Sequence, residues 1–386
     1  MEIALKYISL FILILTTSLF SQTLNQNPTT NSSNDYLVCS DWSLDIPSST
    51  WGISFGNSKN FTGLRFNYRD CDVETINGFN FTMWDSKSVT NSEVNGISFG
   101  LMPHASRLRG INLGLGGVVA DEELLGINFG LFSAVSDGDI YGVNLGGLAL
   151  VAGDNLKGIN LAGLALVSGE DITGINLSAL ALVAQNDITG INFGGLALVA
   201  DSDITGINIG GLASVSKGNM KGINLSMLAL VSGEDLVGIN LGGLATVSKS
   251  GIVGINISGL ALVSGEDIAG INFGGLAIVG EESLYGLSLS LGKIETESTK
   301  GISVSGYKTD TFDFTGINLT LAWTEFENMN GFSFAGYNQV NGNQNGLTIG
   351  IVNYAENLNG IQLGLINIAN NNSGLARILP FVNAHF

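Results

Sequence analysis

Across the middle of this chain a glycine opens a new copy of the same segment every sixteen residues. The copies begin at Gly110, Gly126, Gly142, Gly158, Gly174, Gly190, Gly206, Gly222, Gly238, Gly254, Gly270 and Gly286. A typical unit runs Gly190-Ile-Asn-Phe-Gly-Gly-Leu-Ala-Leu-Val199 and is followed by Ala200-Asp-Ser-Asp-Ile-Thr205. Looser copies start at Gly52, Gly63, Gly78 and Gly96 before this block, and at Gly301, Gly316, Gly331, Gly346 and Gly360 after it. A self-similar period this short restricts the chain to a repeat architecture or a closed sheet.

The units read as strands. In the outer copies apolar residues alternate with polar ones: Trp51, Ile53 and Phe55; Leu64, Phe66 and Tyr68; Phe79, Phe81 and Met83; Ile317, Leu319, Leu321 and Trp323. Ser54, Arg65, Asn67, Asn80, Asn318 and Thr320 sit between them. Alternation with period two places the apolar set on one face of a pleated strand. A helix is excluded because Gly opens every unit and recurs inside most of them. The segments SGED, DSD and QND supply turns. The repeats therefore form one β domain over residues 47–386, most regular over 110–300.

Composition removes several alternatives. Gly contributes 54 residues and Pro only 4, with no three-residue period, so collagen is excluded. Hydrophobic residues make up 45% and charged ones 12%, which argues against disorder. The net charge is -18, and the 15 Lys and Arg do not cluster, so no nucleic-acid partner is expected. The apolar run Ile8–Phe20 follows Lys6 and precedes Ser21 and Gln22. It is too short to span a bilayer and suits a signal peptide over residues 1–21, with an N-terminal membrane anchor as the alternative. Residues 22–46 read as a linker, rich at first in Asn, Thr, Ser and Gln. Export permits a disulfide between Cys39 and Cys71; two buried unpaired thiols are the alternative.

Two architectures accommodate a strand of about ten residues and a short turn: an antiparallel transmembrane barrel and a β-solenoid with 16-residue coils stacked at about 4.8 Å. In the barrel, Ile191, Phe193, Gly195, Ala197 and Val199 face lipid, while Gly190, Asn192, Gly194, Leu196 and Leu198 face the lumen. In the solenoid, a corner at Gly194-Gly195 flips the phase, so that Ile191, Phe193, Leu196 and Leu198 point inward and Asn192 and Ala197 outward. Sixteen-residue coils are similar in length to those of ice-nucleation solenoids, though the residues differ. The outer strands keep one phase with no corner, which favours the barrel. So does a period of thirty-two in the turns. Asp137 and Asp139, Glu170 and Asp171, Asp201 and Asp203, Glu234 and Asp235, and Glu266 and Asp267 alternate with turns carrying Lys157, Lys217, Lys221 and Lys249, as if on opposite rims. Duplication of a two-repeat unit is the alternative explanation. Arg107 and Arg109 on the acidic rim, and Asp121, Glu122 and Glu123 on the other, break the pattern. The expectation is an up-and-down barrel of roughly 22 strands, by the count of Gly starts plus a closing strand.

The final segment, Arg377-Ile-Leu-Pro-Phe-Val-Asn-Ala-His-Phe386, is similar to the last strand of bacterial outer-membrane barrels. That resemblance implies membrane lipid as surroundings and the outer-membrane assembly machinery as a partner through the strand ending at Phe386. The units Gly346-Leu-Thr-Ile-Gly-Ile-Val-Asn353 and Gly360-Ile-Gln-Leu-Gly-Leu-Ile-Asn367 resemble a family of bacterial surface-repeat proteins built on G-[IVL]-x-[IL]-G-[LI]-x-N. The central copies depart from it, with Gly at the sixth position and Ala at the eighth. This resemblance implies an exported, outer-membrane or surface location and no activity.

No chemistry is expected of the chain: no catalytic, cofactor-binding or metal-binding residue, and no enzyme. His104 and His385 lack a Ser or Cys at a motif spacing. The Gly-rich stretches lack the Lys-Ser or Lys-Thr of a phosphate loop. Acidic turns such as Glu170-Asp171 can attract Ca²⁺, but a solvated turn is the simpler reading. Asn80, Asn176, Asn224, Asn256 and Asn318 fall in N-x-Ser/Thr triplets inside strands and read as structural. The functional expectation is a structural or passive pore-like barrel; the alternative is a soluble or surface-attached solenoid acting as an adhesin or binding scaffold.

Overall fold

The computed structural model describes Cys39 and residues 42–386, so the signal segment and most of the linker lie outside the described residues. Contacts set Met1–Cys39 apart from Ser40–Phe386; the second unit is the repeat domain.

One coil shows how the sequence builds it. Ile188–Gly194 and Ala197–Ala200 are extended, with bends at Gly195-Leu196 and Asp201-Ser202 between strands. Each residue then pairs in parallel with the residue one repeat further on: Ile188 with Ile204, Gly190 with Gly206, Asn192 with Asn208, and Ala197 with Ala213. The same parallel register links Gly52 to Gly63 and continues to Gly316 and Gly331. Two pairings are antiparallel: Ser43–Pro47 lies on the first rung, and Ile378–His385 lies on the last. The domain is a β-solenoid.

This corrects the expected up-and-down barrel of roughly 22 strands, its transmembrane strands and its porin-like lumen. Successive copies run in the same direction, and their interior is filled. One cluster of buried side chains extends from Phe61 to Ile294 and a second from Phe314 to Ala369. Between them lies a layer of hydroxyls, in which Thr296 meets Thr299 at 2.8 Å and Thr309 meets Thr320 at 2.7 Å. Here the spacing also falls from sixteen residues to fifteen, at Gly286, Gly301 and Gly316. No helix among the described residues is long and apolar enough to cross a membrane.

The inward and outward sides expected of the solenoid are corrected in part: Leu198 is internal as expected, but Ile191, Phe193, Leu196 and Asn192 are on the opposite sides. No phase flip occurs at Gly194-Gly195. Ile188, Asn192, Leu198 and Ala200 point inward and are buried. Ile191, Phe193 and Leu196 point outward, each more than a third exposed. An even repeat length keeps one parity inside all the way round, and only the bend at Leu196 breaks it. Coil closure thus occurs without the inversion that a corner was expected to impose.

Glycine fixes how the coils meet. Gly190 has φ +121°, and a Cβ there would lie 2.0 Å from the Gly174 carbonyl oxygen. Only glycine adopts that conformation at no steric penalty, and only glycine lets the next coil approach so closely. Inside, the Asn column forms a continuous amide ladder. Asn192 Nδ2 donates to Asn208 Oδ1 at 2.8 Å, and Asn208 Nδ2 donates to Asn224 Oδ1 at 2.8 Å. The ladder begins at Asn112 and hands over at Asn272 to the Ser288 hydroxyl. A buried amide is tolerated because each neighbour satisfies it.

The inward Leu column is interrupted twice. Ser214 replaces Leu and pairs with Ser226 at 2.8 Å. Thr246 replaces it with a buried hydroxyl that has no partner. Replacing Asn208 with Ala strands one donor and one acceptor, so urea titration should show a loss of about 2–4 kcal/mol. Thr246→Val removes an unpaired hydroxyl at constant shape and should raise the urea midpoint, by about 1 kcal/mol. Equal midpoints for both variants would contradict this packing.

Candidate functional site

The outside of each coil divides into strips. At the turn, a ridge carries the acidic residues. Asp187 Oδ1 accepts the Asp203 backbone N–H at 2.9 Å, and Asp203 Oδ1 accepts that of Asn219 at 2.7 Å. These carboxylates thus serve as rung-to-rung acceptors. Lys217 Nζ reaches Asp201 Oδ2 at 2.7 Å, so the turns expected on opposite rims lie on one ridge. Lys217 thus stands beside an acidic neighbour on that ridge, which lessens like-charge repulsion there, while Asp171, Asp187 and Asp203 follow one another on consecutive coils. The apparent exceptions fit the same ridge: Arg107 pairs with Glu93 at 2.8 Å and Glu122 at 2.7 Å, and Arg109 with Glu123 at 2.8 Å. Among the described residues, the acidic turns bring no three ligand groups to one point.

Away from this ridge the outer wall is apolar. Ile175, Ile191, Ile207, Ile223, Ile239, Ile255 and Ile271 form one exposed column, and Leu180, Leu196, Leu212, Leu228, Leu244, Leu260 and Leu276 form another. Between them Gly195, Gly211, Gly243 and Gly259 floor a shallow apolar depression of about 540 Å³ that also includes Phe193 and Ile257. Side chains larger than hydrogen are sparse on this floor because a Cβ at Gly211 would lie 1.7 Å from the Gly195 carbonyl oxygen. Met227 fills one place in the column and stands 71% exposed. With rungs about 4.8 Å apart, the coils from Gly110 to Gly286 carry this strip for roughly 50 Å. Soluble monomers rarely expose a continuous apolar surface beyond a few hundred Å². This wall is the candidate functional site.

The residues singled out by sequence take these places. Leu196 shares the outer wall with Ile191 and Phe193, while Leu198 is internal. Asn80, Asn176, Asn224, Asn256 and Asn318 are buried, out of reach of a glycosylating enzyme. Cys39 and Cys71 are disulfide-bonded, and no cysteine among the described residues is free. His385 Nδ1 contacts Asn372 Oδ1 at 2.6 Å. Phe386 follows the last strand and is 89% exposed.

His104 shows a geometry that its sequence context concealed. Its Nδ1 lies 2.8 Å from Asp85 Oδ1 and its Nε2 2.9 Å from Asp121 Oδ1. Both nitrogens face acceptors, so the doubly protonated ring satisfies the site and neither nitrogen is left as a base. Burial pulls its pKa down, but the hydrogen bonds and charges of Asp85 and Asp121 outweigh burial and hold it above the usual value. Next to it, burial and the Asp121 charge raise the carboxyl of Asp137. A raised histidine pKa contributes stability in full below its unfolded value of about 6.5, and that contribution disappears as pH rises through the folded value. Hydrogen-exchange protection of the coils around His104, taken relative to the intrinsic exchange rate, should therefore fall as pH rises above about 6.5. His104→Gln should flatten that dependence; an unchanged slope would count against the clamp.

The chain matches no protein-family description, no curated protein and no solved structure.

Proposed function

We propose that this chain is an exported, surface-attached scaffold with no chemistry of its own, and that its apolar outer wall lies on membrane lipid. The observation carrying this reading is the unbroken run of Ile and Leu columns along the outside of the coils. The lipid-facing parity expected of a barrel is present, but on the outside of a filled solenoid. That surface therefore suits a bilayer's interface rather than its full thickness.

Three features favour lipid over a second copy of the chain. The wall is long and free of charged side chains at its Ile and Leu columns. Its relief varies, with Met227 protruding beside glycine, and a fluid surface accommodates this more readily than a rigid partner. The acidic ridge lies at the turns, away from the wall, so charge remains in water while the apolar strip sinks about 5–10 Å into the headgroup boundary. The apolar run over Ile8–Phe20 and the likeness of the Gly346 and Gly360 units to bacterial surface repeats support export.

Flotation with vesicles tests this. The mature chain should rise with phosphatidylcholine vesicles. Phosphatidylglycerol should weaken rather than strengthen recovery at low salt, because the protein is acidic. The double variant Ile207→Asp, Ile239→Asp points outward, so it should keep its β-sheet circular dichroism and lose at least tenfold in vesicle binding. Wild-type protein that stays with the dense fraction as a discrete dimer would overturn the lipid reading in favour of face-to-face pairing.

A further inference from the structure

The ridge changes chemistry near the C-terminal end. Three residues before the repeat glycine, most central coils carry an acid (Asp171, Asp187, Asp203, Asp235 and Asp267, with Asn155, Asn219 and Gly251 at the others), whereas the last coils carry Asn328, Asn343 and Asn357 without interruption. One residue before the glycine, Thr173, Thr189 and Thr205 give way to Asn330, Asn345 and Asn359. Two adjacent columns thus become a grid of neutral carboxamides. The grid lines an open cavity of about 610 Å³, with Asp313 at one end and His385 at the other.

The carboxamides are held in order. Asn345 Nδ2 donates to Asn330 Oδ1 at 2.8 Å, and Asn359 Nδ2 donates to Asn345 Oδ1 at 3.0 Å. In the neighbouring column Asn343 Nδ2 donates to Asn328 Oδ1 at 3.0 Å, and Asn328 Nδ2 to Asp313 Oδ1 at 2.9 Å. An amide carries two N–H donors and two acceptor sites. A rung-to-rung ladder uses one of each, so Asn345 retains one donor and one acceptor for the groove, while Asn328, whose Oδ1 also accepts the Asn343 backbone N–H at 3.4 Å, retains a donor. Solubility alone does not explain the exchange, since the acidic ridge already supplies it.

We propose that this groove binds a neutral glycan chain laid across the rungs. Sugar hydroxyls both donate and accept, which complements a row of carboxamides that offers N–H donors along its length and a free acceptor at Asn345. No Lys or Arg lines the groove, so an anionic ligand finds no counter-charge and Asp313 opposes it. An extended peptide is disfavoured because strand-like recognition uses free backbone edges and pockets for alternate side chains; here the backbone is paired within the stack and the lining is amide.

Affinity electrophoresis in native gels containing laminarin, galactomannan or alginate tests the proposal. The chain should be retarded by at least one of the two neutral polysaccharides and not by alginate. Asn330→Val with Asn345→Val should weaken retardation at least tenfold. Asn77→Val, at the equivalent column position outside the cavity, should leave it unchanged. Asn343→Val, on the second column, serves should the double variant fail to fold, and a loss of at least threefold is expected. No retardation by either neutral polysaccharide, undiminished retardation of the folded groove variants, or equal displacement by a neutral Gly-Ser peptide would overturn the proposal. The readout is independent of vesicle flotation, so each can fail alone.

Discussion

Everything in this solenoid depends on the close stacking of one glycine on the next. A side chain at Gly190 would sit 2.0 Å from the carbonyl oxygen beneath it, and the backbone there has φ +121°. These two constraints act together. The positive φ shapes each coil, and the absent side chain lets successive coils meet at hydrogen-bonding distance. Once one glycine is seated on another, the remaining pairs of the repeat are forced into register. Asparagine then falls on asparagine, and isoleucine on isoleucine.

The interior that results is narrow and mixed. Ile188 and Leu198 provide its apolar bulk, while the amide column of Asn192 and its copies occupies the rest. Burying an amide without a partner is strongly unfavourable, so each coil depends on the coil above and below to satisfy it. Stability in such an array is close to a sum of repeat and nearest-neighbour terms. The hydroxyl layer around Thr296, Thr299, Thr309 and Thr311 separates two apolar clusters, and it coincides with the change of spacing. It marks the place where that nearest-neighbour chain is weakest in hydrophobic contact.

Much of this was legible in the sequence, but its direction was not. Alternation along Gly190–Val199 correctly separated Ile191, Phe193, Ala197 and Val199 from Asn192, Gly194 and Leu198. That pattern reports only which side chains share a side; it is the same whether neighbouring copies run parallel or antiparallel. The informative signal was the identity of residues one repeat apart. Gly on Gly and Asn on Asn are brought together by parallel, in-register stacking, whereas a hairpin would set a unit's first residues against its neighbour's last. The turn charges misled for a related reason. Asp201 and Lys217 alternate in the sequence as opposite rims would, yet they are salt-bridged neighbours at 2.7 Å. The His104 clamp had no sequence signature, since Asp85 and Asp121 come from different coils. The outer apolar wall was visible in the alternation of the repeat but was assigned to the outside of a closed barrel rather than to that of a filled solenoid.

The one-to-one pairing of coils bears on how such a chain can change over generations. Excision or duplication of a whole central unit leaves its former neighbours facing partners of the same kind: glycine still seated on glycine, amide still joined to amide. A shift by any other number of residues would break every column at once. Length in whole units is therefore the one dimension of this molecule that recombination between its own near-identical segments can adjust freely, while the cross-section stays fixed.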